Sequence, residues 1–76
     1  MLQWQEVDLH AVYPFERYKA VSGNHEHRIF YGPEAASQDK PWILVIRLDL
    51  HEHVHHSIHT TEADAKRAAE AWEGKP

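Results

Sequence analysis

The stretch WILVIRLDL, residues 42 to 50, decides the fold predicted for this chain. Its centre carries Ile43, Val45 and Ile46, and isoleucine and valine favour a pleated strand. Because successive side chains of a strand point to opposite faces, Leu44, Ile46 and Leu48 are predicted to share one face. The side chains between them then lie on the other face. The stretch is therefore predicted to be a strand within a sheet that has a core on one side.

Two further strands are predicted upstream of this one. The runs RYKAV (residues 17–21) and EHRIFY (residues 26–31) flank Gly23 and Asn24, and Gly-Asn between two β-prone runs is typical of a hairpin. Gly32 and Pro33 end the second run. Residues 4–7 form a weaker strand candidate, and residues 54–60 a short return strand.

A helix is predicted downstream, beginning after Thr61. The segment TEAD (residues 61–64) fits a capping box with Thr61 as the N-cap, and acidic residues in the first turn suit the helix dipole. Glu62 and Lys66 form an i, i+4 pair. Gly74 is a predicted helix stop. One face of the helix carries small side chains and one large anchor: Ala65, Ala68, Ala69 and Trp72.

Together these elements predict one small domain, residues 1–76, of the α+β class. The predicted architecture is a three- to four-stranded antiparallel sheet with one C-terminal helix packed on one face. A chain of this size buries only about 60% of its unfolded surface, so its stability margin is narrow. Small domains commonly gain additional stability by oligomerisation.

A sparse pattern of packing residues spans most of the chain. It consists of Trp4, Tyr18-Lys19-Ala20, Ile29, Trp42-Ile43-Leu44, Thr61, Ala65-Lys66 and Ala69-Glu70. With this pattern the chain resembles a class of small, uncharacterised proteins of actinobacteria and their phages that combine a β-sheet with a C-terminal helix. The resemblance implies the same fold and a phage or mobile-element setting, and it carries over no catalytic residue.

Composition narrows the classes of function. The chain has no cysteine, which excludes disulfides and a cysteine nucleophile. The N-terminus lacks the basic and apolar regions of a signal peptide, and the longest apolar run is too short to span a bilayer. These features predict a soluble, cytoplasmic protein without membrane contact. The formal charge of −4 disfavours nucleic acid as a partner, and protonation of all eight histidines would bring the charge to +4.

The run HEHVHHSIH (residues 51–59) is the densest histidine cluster. Its first five residues match H-E-x-x-H, but that zinc-protease signature works on a helix, and this segment lies between a strand and a helix cap. No other catalytic constellation is evident, so no enzyme is predicted. In an extended segment, His51, His53 and His55 would alternate to one side, and a tight hairpin would bring His59 close. Solvated hairpin residues are the favoured interpretation; a site for Zn²⁺ or Ni²⁺ is the alternative.

One helix covers only one face of a sheet, so the other face is predicted to be open. Arginine and aromatic side chains are enriched at interface hot spots. The favoured function is therefore a protein-interaction module or regulator that acts on a host protein or forms a homodimer. Its predicted contact residues are Arg17, Lys19, Arg28, Phe30 and Arg47. Val21, Glu26, Ile43, Val45 and Asp49 are predicted to share their face. An ordinary solvated face and a single-stranded nucleic-acid platform are the alternatives.

Overall fold

The computed structural model describes residues 2–7, 15–34, 36–48 and 52–73. Within them the chain forms one antiparallel sheet, whose strands lie side by side in chain order, and one helix at the C-terminal end. The elements are β1 (Gln5–Glu6), β2 (Phe15–Ser22), β3 (His25–Tyr31), β4 (Trp42–Leu48), β5 (Glu52–His59) and α1 (Glu62–Glu73). The α+β class and the antiparallel sheet with a C-terminal helix are confirmed.

The described sheet has five strands, so the prediction of three to four was too low. The additional strand is β1, which consists of two residues that pair with Lys19 and Tyr18 of β2. The return strand β5 is also longer than predicted, because it begins at Glu52. Strand propensity depends strongly on context. Histidine, glutamate and serine give little local strand signal, and the pairing with β4 keeps these residues extended.

The hairpin between β2 and β3 turns through Gly23 and Asn24, as predicted. Gly23 has a φ of 59°, in the left-handed region that side chains other than glycine adopt at a cost. A Cβ at this position would meet no atom within 4 Å, so the requirement for glycine comes from the backbone conformation alone. The turn fixes the register of both strands, which pairs Ser22 with His25 and Ala20 with His27.

The core lies between the sheet and α1. Ile29 of β3 and Leu44 and Ile46 of β4 are fully buried beneath Ala65 and Ala69 of the helix. Small alanine side chains bring the helix close to the sheet, so the larger strand side chains fill the space between them. Further side chains pack around this centre: Leu2, Trp4, Tyr18, Trp42, Ala68 and Trp72. The predicted alternation of β4 and the apolar helix face are both confirmed.

The helix begins where the sequence indicates. The Asp64 backbone N–H donates to Thr61 Oγ1 at 3.1 Å, which confirms the N-cap. Lys66 Nζ lies 2.9 Å from Glu62 Oε2 in the expected ion pair, and the Tyr18 hydroxyl donates to Glu62 Oε1 at 3.0 Å. These contacts join the first turn of α1 to β2. The predicted stop at Gly74 lies outside the described residues. In the described part of the chain, no helix is long and apolar enough to cross a membrane.

Candidate functional site

The sheet face opposite α1, here called the open face, is defined by strand register and alternation. Lys19, Arg28 and Val45 share one row across β2, β3 and β4, because they are cross-strand partners. The same register places four of the five predicted contact residues on this face. Its described members on β2 to β5 are Glu16, Lys19, Val21, Glu26, Arg28, Phe30, Ile43, Val45, Arg47, His53, His56 and Ile58.

An apolar row crosses the open face. Phe30, Ile43 and Ile58 are neighbours on β3, β4 and β5. Val45 lies one row away on β4. Phe30, Val45 and Ile58 are half-buried, and Ile43 between them is only 7% exposed. These side chains therefore form a continuous apolar strip, although α1 does not cover them.

A charge network lies beside the apolar strip. Arg28 Nε donates to Glu26 Oε1 at 2.6 Å, and Arg28 Nη1 donates to Glu16 Oε1 at 2.9 Å. Lys19 Nζ lies 3.5 Å from Glu26 Oε2. Burial acts to raise the pKa of Glu26, but the hydrogen bond and charge of Arg28, with Lys19, outweigh it and lower the pKa. Lys19 and Arg28, both predicted contact residues, are therefore held in ion pairs within the chain.

Arg47 is in a different state from Lys19 and Arg28. It lies opposite Glu26 across β3 and β4, but Arg28 and Lys19 bind the oxygens of that carboxylate. Arg47 Nε instead donates to His53 Nε2 at 3.0 Å. Among the described residues, no carboxylate lies within ion-pair distance of Arg47. Within that part of the chain, the charge of Arg47 at the edge of the apolar strip is therefore not neutralised.

Arg17 departs from the predicted open face. The register shifts between Glu16 and Tyr18, so Arg17 is the extra residue of a β-bulge. Its guanidinium lies 5.9 Å from the centre of the Tyr31 ring. Tyr31 stacks edge-on against Trp42, which packs on the core beneath α1. Simple alternation fails here because a bulge redirects the side chain, so Arg17 is not grouped with the other predicted contact residues.

A second bulge separates the predicted metal-ligating histidines. Ile46 pairs with His55 and Arg47 pairs with His53, which leaves Val54 without a partner on β4. His53 therefore lies on the open face beside Arg47, whereas His55 lies on the helix side. The predicted same-side row is thus broken, and His51 lies outside the described residues. In the described ranges, no three His, Cys, Asp or Glu side chains are arranged to hold a metal ion.

His55 and His59 both contact Ser57, one from each side. His55 Nε2 lies 2.9 Å from Ser57 Oγ, and His59 Nε2 lies 2.7 Å from the same atom. Ser57 Oγ has one proton and two lone pairs, so at least one of the two imidazoles donates to it. The sequence carried a signal for this group, since residues 55, 57 and 59 share one side of a regular strand. His56, the sequence neighbour of Ser57, is exposed on the opposite side.

The same three side chains line a cleft of about 260 Å³ between β5 and α1. Ala68, Ala71 and Trp72 form its helical wall. The cleft is mainly apolar, with the two imidazoles and the hydroxyl along one edge. It is thus a second candidate binding surface, on the side of the sheet away from the open face.

Another histidine pair, His25 and His27, fastens the end of α1 to β3. Glu73 Oε2 lies 3.2 Å from His25 Nδ1, and Glu73 Oε1 lies 3.4 Å from His27 Nε2. The second contact is long for a hydrogen bond. His27 is fully buried between Trp4 and Trp72. Burial lowers the pKa of His27, although Glu73 partly opposes this effect. The buried imidazole is therefore neutral near pH 7.

No family model, curated protein or solved structure matches this chain. The fold and the candidate surfaces consequently stand on the physical description given above. The resemblance to actinobacterial and phage proteins stays a prediction.

Proposed function

We propose that this protein is a small protein-interaction module or regulator without catalytic activity, which binds a protein partner through the open face. The observation that carries the proposal is the apolar strip of Phe30, Val45, Ile43 and Ile58, which lies beside Arg47 on the face opposite α1. An apolar surface flanked by charged groups is typical of protein-binding sites. A phage or mobile-element protein that acts on a bacterial host protein fits this role.

The charges of the open face indicate what the partner presents. Lys19 and Arg28 are neutralised by Glu16 and Glu26, so they contribute mainly shape and polarity at the edge of the strip. Arg47 has no such counter-charge among the described residues. We infer a partner with a flat apolar patch and a carboxylate placed to meet Arg47. The internal ion pairs also leave little free positive charge for the phosphates of a nucleic acid.

Replacing Phe30 with alanine and Arg47 with serine is expected to abolish partner binding while preserving the fold. Buried aromatic and arginine anchors commonly contribute 2 kcal/mol or more each, so either change alone should weaken binding by at least about 30-fold. Tagged wild-type and F30A/R47S proteins would capture partners from an actinobacterial lysate, with quantitative mass spectrometry as the readout. Sedimentation of the purified chain would detect a second copy as the partner.

Arg67→Ser provides the matched control, because it removes an arginine that is 74% exposed on α1. Its captured proteins should equal those of the wild type. A partner retained equally by the F30A/R47S variant would contradict binding through the open face. Circular dichroism and thermal melting establish that all three proteins are folded.

The competing function is divalent metal binding, or a response to pH, by the histidines of β5. Under the interaction proposal, adding Zn²⁺ or EDTA should leave the melting temperature and partner capture unchanged. A ligand that binds only the folded state stabilises it by RT ln(1 + [L]/Kd), which is about 2.7 kcal/mol at a hundredfold excess over Kd. A zinc-dependent rise in melting temperature that His55→Asn and His59→Asn remove would favour the metal function instead.

A further inference from the structure

Strand β5 forms one edge of the described sheet. It is eight residues long, whereas β1 at the other edge has only two. On the outer side of an edge strand, alternate backbone N–H and C=O groups have no partner strand. Such an edge accepts an extended segment of another protein by main-chain hydrogen bonding, and pockets beside it select the side chains.

The cleft beside β5 supplies such a pocket. Its wall on α1 is formed by Ala68 and Ala71, whose short side chains leave room between helix and strand, and Trp72 adds an apolar surface. On the strand side, Ser57 lies between two imidazoles whose Nε2 atoms are both within hydrogen-bond distance of its hydroxyl. An incoming side chain would therefore meet an apolar wall and a set of hydrogen-bonding groups already held together.

We propose that the β5 edge binds an extended acidic segment of a partner protein, which adds a strand to the sheet and directs a carboxylate side chain into the cleft towards His55, Ser57 and His59. This surface is separate from the open face and goes beyond the function proposed above. A single partner could occupy both, but neither proposal requires the other.

Charge complementarity argues for an acidic segment. The described strand carries His53, His55, His56 and His59, which are either neutral or positive, and its carboxylate Glu52 lies at the far end from the cleft. Asp64 of α1, whose charge acts on His59, is already paired with Arg67. An incoming carboxylate therefore meets imidazoles that can donate hydrogen bonds and become cationic. A basic segment would find no carboxylate among the described residues that line the cleft.

The groups around His59 predict how this binding responds to pH. Burial lowers the pKa of His59. The charge of Asp64 acts to raise this pKa, whereas His55 and Lys40 lower it further. A carboxylate bound in the cleft would favour the protonated imidazole, so binding takes up a proton. Affinity should therefore rise as the pH falls from 7.5 to 6.0. If β5 instead paired with a second copy, histidines of the two copies would lie close together. Their protonation would cause repulsion, so this pairing would weaken on acidification.

The test uses a random ten-residue peptide library displayed on yeast and the full chain as bait. Ala71→Glu places a carboxylate in the cleft from an exposed helix position, and Ala63→Glu makes the same change at another exposed position of α1 that does not line the cleft. We expect the enriched peptides to alternate apolar residues with an acidic one. They should bind the A63E variant like the wild type and the A71E variant at least tenfold more weakly. Bound peptide should also slow amide hydrogen exchange in residues 52–59.

Three results would overturn the proposal: no enriched peptide, equal binding to the A71E and A63E variants, or enrichment without protection of residues 52–59. A dimer that forms through β5 and dissociates on acidification would assign the edge to a second copy instead. The F30A/R47S variant distinguishes this proposal from the open-face function. It should bind the selected peptides normally even though it loses the open-face partner.

Discussion

Replacing Leu44 with alanine is expected to lower the free energy of unfolding by about 2–5 kcal/mol. Leu44 is fully buried in the central strand β4, between Ile29 and the alanine face of α1. Removing its side chain leaves a cavity that the packed helix cannot fill without shifting. A chain of this size has a total stability of about 4–11 kcal/mol, so the variant should lie near the limit of folding.

Val45→Ala is the matched control, because Val45 is the next residue on the same strand and lies on the open face. Its side chain is half-buried. Replacing Val45 with alanine should lower the free energy of unfolding clearly less than replacing Leu44 does. Urea titration of both variants measures the difference. Equal losses, or a larger loss at Val45, would contradict the assignment of the two faces of β4.

Acidification from pH 7.5 to 5.5 is expected to destabilise the wild-type protein through His27. The folded-state pKa of His27 lies below the ordinary histidine value of about 6.5, because the imidazole is buried. The unfolded chain therefore binds the proton more readily, and stability is lost as the pH falls below about 6.5. Because His27 takes up at most one proton on unfolding, its contribution lowers the free energy of unfolding by no more than about 1.4 kcal/mol per pH unit.

His59, whose pKa is also lowered, adds to this effect in the same direction. The pKa values of Glu26 and Glu73 are also lowered, so protonation of these carboxylates reduces stability only as the pH falls below about 4.5. Urea titrations at pH 7.5, 6.5 and 5.5 separate these ranges. His27→Leu should show a shallower fall, because only the contribution of His59 remains, whereas His56→Gln on the exposed side should follow the wild type. A wild-type stability that does not change over this range would contradict the account.

The features that the sequence predicted well depend on local patterns. The cap at Thr61 and the spacing of Ala65, Ala69 and Trp72 fix the helix and its buried face, because both follow from the geometry of one turn. Alternation along β4 likewise assigns Leu44 and Ile46 to the core. These features require no knowledge of how distant residues pair.

The features that the sequence missed depend on strand pairing. A single extra residue in a strand shifts everything beyond it to the opposite face. The bulge at Arg17 removes one predicted contact residue from the open face, and the unpaired Val54 separates His53 from His55. The ion pair between Arg28 and Glu16 also depends on register, because it joins β3 to the neighbouring strand β2.

The most direct test of the open face as a docking surface is site-specific photo-crosslinking. The photoreactive residue p-benzoylphenylalanine would replace Val45 at the centre of the open face, Ala71 in the cleft, or Ala63 on the exposed side of α1. Each folded protein would be irradiated in a lysate of a bacterial host, and the crosslinked species identified by mass spectrometry. We predict one dominant protein adduct from position 45 and none from position 63, with loss of the adduct when Arg47 is also replaced by serine. Absence of an adduct at position 45, or the same set of adducts at positions 45 and 63, would contradict the proposal that this face binds a partner.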